Sequence, residues 1–335
     1  MTPWERKRTS LPRRTCLAAA LGAALAPPAR GGAESTPGLR LGVLTFGTVQ
    51  WVAETIRRHA FDRAHGFALE TVTLANTDAG RVALMAQSVD VVVSDWFFVA
   101  SQRAGGTALS FAPFSSASGA LMAAPASPVR GIADLRGRRL GVAGGPLDKS
   151  WLLFQAAANS LAGMDVALVA DVAYGAPPLL NAKLRQGELD AVLTFWNFAA
   201  RLEADGFRQV ISVAECARAL DLPTPFSLVG FVFHETWARE HAALVDGFLA
   251  AAADAEALLA SSDAEWQQVR PLMDAPDDAL FAGLRRRFID GIAHPSPAEQ
   301  QRAAAELFDI LLRIGGTRAT SGIDRLPEGI FWQAP

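Results

Sequence analysis

From Leu39 almost to the C-terminus, short apolar runs alternate with stretches whose apolar residues recur every three or four positions. A fully apolar run followed by a 3.6-residue period predicts repeated β-α-β units. Leu39–Thr45 reads as a strand, and Val49, Val52, Ala53, Ile56 and Ala60 then share one helix face. Phe67–Leu74 is a second strand, Asn76–Asp78 a turn and helix start, and Val89–Ser94 a third strand, β-branched at its centre. Ile132–Leu135, a turn at Gly137 and Leu140–Val142 give a short helix, a turn and a strand. Pro177 and Pro178 open a helix that continues over Leu179–Gln186. Leu228–Phe233 is a strand, and Trp237, Leu244, Val245, Phe248, Leu249 and Ala252 form the apolar stripe of one long helix. Residues 263–335 read as mostly helical.

The pattern is duplicated. Residues 90–98 match residues 190–198: Asp90 or Asp190, an apolar run, Ser94 or Thr194, then Trp96 or Trp196 and Phe98 or Phe198. Upstream, Leu41, Gly42 and Val43 lead to Trp51 as Leu140, Gly141 and Val142 lead to Trp151. The carboxyl ends of parallel strands carry ligand-binding loops, and all four tryptophans follow such ends. Two α/β halves of this kind predict an interlobe cleft lined with flat aromatic surface. The small, Pro-rich run Ala123–Pro128 reads as one crossing between halves and Pro223–Pro225 as a second. Lobe I is then discontinuous, residues 39–123 and 229–335, and lobe II is residues 124–228. Two crossings make a hinge.

Composition narrows the class. Half of the 335 residues are apolar and 19% are charged, enough for two cores. Arg6, Lys7, Arg8, Arg13 and Arg14 precede the short apolar stretch Leu17–Ala26 and the small residues Gly31, Gly32 and Ala33, so residues 1–33 read as a signal peptide. Arg13 and Arg14 fit twin-arginine export, Cys16 stands where an aromatic is usual, and general export fits equally. Loss of that segment takes the formal charge from −3 to −8, which argues against nucleic acid as a partner. The remaining cysteine, Cys216, reads as a small buried residue. His59, His65, His234, His241 and His294 form no metal-ligating pair, and no HExxH, CxxC, GxSxG or P-loop motif occurs, so hydrolase and zinc chemistry are not expected. Arg285, Arg286 and Arg287 read as a solvated face, with a transporter contact as the alternative.

Several residues point to small-molecule binding. Trp51, Trp96, Trp151 and Trp196 offer aromatic faces to a planar ligand. Lysine is scarce: only Lys7, Lys149 and Lys183 occur among 31 Lys and Arg. Lys149 lies between a strand end and a helix, where an anionic or carbonyl ligand would sit, whereas Lys183 faces solvent or the lobe edge. Arg81 begins a helix and is a candidate clamp. Thr45, Gln50, Ser94, Ser116 and Asn197 stand at strand ends as further donors, and helix starts after Thr48, Asp78 and Ser150 add backbone N–H groups. Asp148 either orients Lys149 or, more simply, caps the next helix.

Leu41–Val43, Ile132–Ala143, Leu184–Ala191 and Phe231–Trp237 resemble segments of periplasmic solute-binding proteins of ABC importers, in the branch of nitrate, sulfonate, taurine and thiamine-precursor binders (NitT/TauT). The resemblance covers residues 39–335. It implies an α/β, two-lobed type II periplasmic-binding-protein fold, a periplasmic location, a membrane permease as partner, a monomer and no catalytic turnover. The tryptophans and Gly144–Trp151 most resemble the members that bind pyrroloquinoline quinone. That match implies capture of the free cofactor, whose three carboxylates would need the donors above. It also suggests a reversible carbinolamine or imine between Lys149 and the quinone carbonyl, because an amine, unlike a guanidinium, can lose its proton and attack. Other ligands in view are an aromatic sulfonate or carboxylate, a flavin-like ring or a thiamine precursor. Import and delivery to another periplasmic protein read alike from sequence. Thiamine-pyrimidine synthases share this fold, but their cysteine-rich motif and clustered histidines are missing here.

Overall fold

The computed structural model describes residues 36–335 apart from Phe46, Ala293 and His294; the expected signal peptide lies outside the described residues, as does His294. The first lobe opens with β1 (Gly38–Leu44), α1 (Val49–His59), α2 (Phe61–Ala64), β2 (Ala68–Leu74), α3 (Thr77–Met85), β3 (Val91–Asp95), α4 (Trp96–Ala104) and β4 (Leu109–Ser115). The second contains β5 (Ala120–Ala123), β6 (Arg139–Ala143), α5 (Lys149–Ala162), α6 (Val166–Val169), β7 (Asp171–Gly175), α7 (Pro177–Arg185), β8 (Ala191–Thr194), α8 (Trp196–Ala204), β9 (Arg208–Ser212) and α9 (Val213–Ala219). The chain then returns through β10 (Val229–His234), α10 (Glu235–Glu240), α11 (Ala242–Ser261), α12 (Asp263–Val269), α13 (Asp278–Asp290) and α14 (Pro297–Ala319).

Two five-stranded sheets result, ordered β2-β1-β3-β10-β4 and β7-β6-β8-β5-β9. In each, a parallel trio is extended by antiparallel pairing to the strand that follows a crossing, β10 or β5. The duplicated aspartates explain themselves here. Asp90 accepts from Arg40 N (2.7 Å), Nε (3.1 Å) and Nη2 (2.6 Å), and Asp190 accepts from Arg139 N (2.9 Å), Nε (3.2 Å) and Nη2 (2.8 Å). Each pins the start of one central strand to its neighbour with charge-assisted bonds. The duplicated glycines are spacers. A Cβ on Gly42 would lie 2.8 Å from Leu74 Cδ1, and one on Gly141 2.7 Å from Leu189 Cδ1. The repeated motif is therefore first of all a folding unit used twice.

The expected lobe boundaries need two corrections. Ala120–Ala123 pairs with β8 and β9, so the first crossing falls within 116–119 and the Pro-rich run lies inside lobe II. Residues 229–335 do not all belong to lobe I, because α13 packs on α8 and α14 on α5, both of lobe II. One apolar cluster accordingly runs from Val92, Trp96 and Phe97 through Leu307, Phe308 and Leu311 of α14 to Trp151, Leu153 and Phe154. The helix expected around Trp237 is split at His241, whose backbone (φ −122°, ψ 35°) is not helical. Among the described residues, no helix is long and apolar enough to cross a membrane.

Candidate functional site

The four tryptophans do not line one open gap. Trp96 is fully buried and stacks on Phe97 with centroids 3.7 Å apart. Trp151 is 1% exposed, stacked on Phe154 and edge-on to Tyr174. Trp51 is 3% exposed, and its Nε1 donates to Leu272 O at 3.3 Å. Trp196 is half-buried. Trp51 and Trp196 do meet from the two lobes, but edge to face (6.0 Å, 86°) and enclosed by Trp266 and Phe288, with no slot for a planar ring between them. The physical reason is positional. Trp51 and Trp151 are third residues of α1 and α5, and Trp96 and Trp196 are first residues of α4 and α8. An indole there can fold back against the layer behind the strand ends, where it removes a large apolar area from water.

What does gather at the strand ends is charge. Arg81 of α3 donates from Nη2 to Asp95 Oδ2 (2.5 Å) and from Nε to Ser94 Oγ (3.2 Å), with its guanidinium 4.7 Å from the Phe98 ring centre. Asp95 also caps α4, accepting from Phe98 N at 2.9 Å. From the other lobe, Lys149 donates to Ser321 Oγ (3.1 Å) and Ala319 O (3.4 Å) and sits 4.4 Å over the Phe97 ring. Asp148 is the cap of α5, accepting from Ser150 N (3.0 Å) and Trp151 N (3.2 Å). Gly144 holds a left-handed φ of +87° beside the Asp148 carboxylate, a turn that a side chain would strain.

These groups act on one another. Burial pushes the Asp148 carboxyl up to about 6, with Asp95 adding to the rise while the Trp151 and Ser150 N–H groups and Lys149 oppose it. Burial lowers the Lys149 ammonium, and Arg81 lowers it further, while Asp95 and Asp148 hold it up. Two cations and two carboxylates from both lobes thus share one poorly hydrated region.

Other expected donors are occupied by the fold. Thr45 Oγ1 donates to Leu74 O (3.4 Å), and Gln50 Nε2 donates to Thr45 O (3.2 Å), at the same sheet edge as Ser94. Ser116 bonds Gly291 O through both N and Oγ, at the first crossing. Asn197 is half-buried in the first turn of α8. Lys183 pairs with Glu188 on the surface. The triple-arginine run is a solvated face only in part: Arg286 is exposed and pairs with Glu203 (3.3 Å), whereas Arg287 is bonded to Glu203 (2.7 Å) and Gln209 (2.9 Å) of lobe II and Arg285 to Asp263. Cys216 is buried, and burial pushes its thiol up to about 12. Each described histidine has a partner: Glu265 for His59, Asp254 for His65, Leu84 O for His234 and Trp237 O for His241. Among the described residues, no group of His, Cys, Asp or Glu could hold a metal.

Sequence reasoning missed Asp95, Phe97 and Ser321. For Asp95 a signal existed, because the matching position of the second copy is Phe195 and a repeat that differs at one position invites a question. Ser321 reaches Lys149 across 172 residues of chain and carried no local signal.

A family model described as "NMT1/THI5 like" matches residues 111–263. No curated protein sequence matches the chain significantly. Among solved structures, the periplasmic aliphatic sulphonate-binding protein SsuA of Escherichia coli superposes with a TM-score of 0.70 at 18% identity, covering 90% of this chain and 94% of that one. The alkanesulfonate-binding protein SsuA of Xanthomonas axonopodis pv. citri, bound to MOPS, gives 0.65 at 17% identity over 88% and 96%. The periplasmic nitrate-binding protein NrtA of Synechocystis PCC 6803 gives 0.54 at 12% identity over 76% and 70%. The fold is therefore the two-lobed α/β fold of periplasmic binding proteins.

Proposed function

We propose that this chain is an exported solute-binding protein that captures a small organic anion, best a sulfonate, between its lobes and presents it to an ABC-type permease. The observation that carries the reading is the approach of Arg81 and Lys149 from opposite lobes, each beside its own carboxylate, at the strand ends where such folds bind ligands. Likeness of fold to sulfonate- and nitrate-binding proteins supports it. Without solute, Asp95 and Asp148 balance the two cations. An entering sulfonate takes over that role, accepts hydrogen bonds from both lobes, and so favours the closed form. Lys149 has the surroundings of an ammonium, two oxygen acceptors and an aromatic face, so we read it as a counter-charge and not as a nucleophile toward a quinone. The expectation of pyrroloquinoline quinone rests on the resemblance of Gly144–Trp151, on Lys149 and on the four strand-end indoles. With three of them in the cores, the ligand class supported is a compact anion.

Calorimetric titration of the purified protein with ethanesulfonate, nitrate and pyrroloquinoline quinone tests this. Ethanesulfonate should bind, and Arg81→Ala or Lys149→Ala should each weaken it about tenfold or more, the loss of one charge-assisted bond. Preference for the quinone over every sulfonate would overturn the ligand assignment.

A further inference from the structure

The two lobes differ most where their repeat is closest. From α3 to α4 and from α7 to α8 the elements run in step at an offset of one hundred residues. Arg81 is the fifth residue of α3 and Asn181 the fifth of α7; Ser94 and Thr194 are the fourth residues of β3 and β8. In lobe I this pair is bonded, Arg81 Nε to Ser94 Oγ. In lobe II, Asn181 and Thr194 are 1% and 2% exposed, yet among the described residues nothing hydrogen-bonds Asn181 Oδ1 or Thr194 Oγ1. The other end of the amide is committed, since Asn181 Nδ2 donates to Phe198 O at 2.9 Å. That bond settles which amide atom is oxygen and leaves the lone pairs of Oδ1 unused. Buried polar atoms are nearly always paired, so two orphans at register-equivalent positions call for a partner.

Both atoms lie where β8 runs into α8. Thr194 immediately precedes Phe195, the uncapping N-cap residue of α8, and Phe198 is in the first turn of that helix. In lobe I the corresponding place is filled by the Asp95 carboxylate. Lobe II therefore offers a hydroxyl and an amide oxygen beside a helix start with no side-chain cap. Leu147, Leu179 and Phe195, which follow β6, β7 and β8, and Tyr174 near the end of β7 are all exposed at the same sheet edge.

We propose that Asn181 Oδ1 and Thr194 Oγ1 form a subsite on the second lobe for a neutral hydroxyl or amide group of the captured anion. The inference rests on the anion-capture reading above. A ligand hydroxyl suits both orphans, since it can donate to Asn181 Oδ1 and accept from Thr194 Oγ1. A second acidic group does not, because Asn181 Oδ1 has no proton to give it. The solute is thus polar at two ends, acidic toward Arg81 and Lys149 and neutral toward Asn181 and Thr194.

Ethanesulfonate and isethionate (2-hydroxyethanesulfonate) differ by one hydroxyl and serve as probes. Isethionate should bind the purified protein at least about tenfold tighter. Thr194→Val should erase that preference and leave the affinity for ethanesulfonate unchanged. Thermal melts without ligand run alongside: T194V should melt at or above wild type, because an unpaired buried hydroxyl is removed. Equal binding of the two sulfonates, or a preference that survives in T194V, overturns the subsite and leaves the anion reading standing. A lowered melting temperature in T194V also overturns it, since Thr194 would then be holding a structural water. If neither sulfonate binds wild type, the anion reading falls and the subsite with it.

Discussion

Asp148 ties the chemistry of the site to pH. Its carboxyl is raised from 3.8 to about 6 by burial, so between those values the folded chain binds more protons than the unfolded one. Stability therefore falls as pH rises through that window, and the penalty is complete above it. Two pKa units correspond to roughly 3 kcal/mol. Asp148→Asn keeps an acceptor for the α5 N–H groups and removes the buried charge. Its melting temperature should exceed wild type at pH 7.5, and the difference should vanish near pH 4; a variant less stable than wild type at pH 7.5 would contradict this. An added anion raises the same carboxyl further, so sulfonate affinity should strengthen as pH falls toward 6. The capping role of Asp148 and the place of Lys149 at a strand end were legible in sequence, because both follow from local spacing. The burial of Trp96 and Trp151 was not, since a strand-end indole can turn to the gap or to the layer behind it, and only the packing around Phe97 and Phe154 decides.

At the scale of elements, α4 and α8 start at matching positions and differ in their caps. Asp95 accepts from Phe98 N, whereas Phe195 offers nothing to α8. Phe195→Asp should therefore stabilise the protein by about 0.5–1 kcal/mol in a urea melt, through a cap and a favourable charge at the helix start. It should also weaken anion binding, because it adds a carboxylate at the edge of the site; an unchanged sulfonate affinity would place the site elsewhere. Most elements of both lobes were readable from the apolar rhythm. Strand β5 was not, because Ala120–Ala123 is short, lies just before a Pro-rich run, and is a strand only through pairing with β8 and β9, about seventy to ninety residues later.

Over the whole molecule, duplication and return made two lobes with two crossings predictable. The role of the C-terminal helices was not, because α13 and α14 carry ordinary amphipathic patterns that do not say which lobe they cover. Their packing on α8 and α5, with the Arg287–Glu203 pair at 2.7 Å, makes the C-terminal segment a brace across both lobes. It also brings Ser321 to Lys149, so a contact of the candidate site comes from beyond α14. A sulfonate held between Arg81 and Lys149 is the claim on which the account stands. A crystal structure of the protein grown with ethanesulfonate tests it most directly. The sulfonate oxygens should accept hydrogen bonds from Arg81 of one lobe and Lys149 of the other, with Trp96 and Trp151 still in the cores. A sulfonate bound away from both cations, or tryptophan rings swung out to clasp a planar ligand, would contradict it.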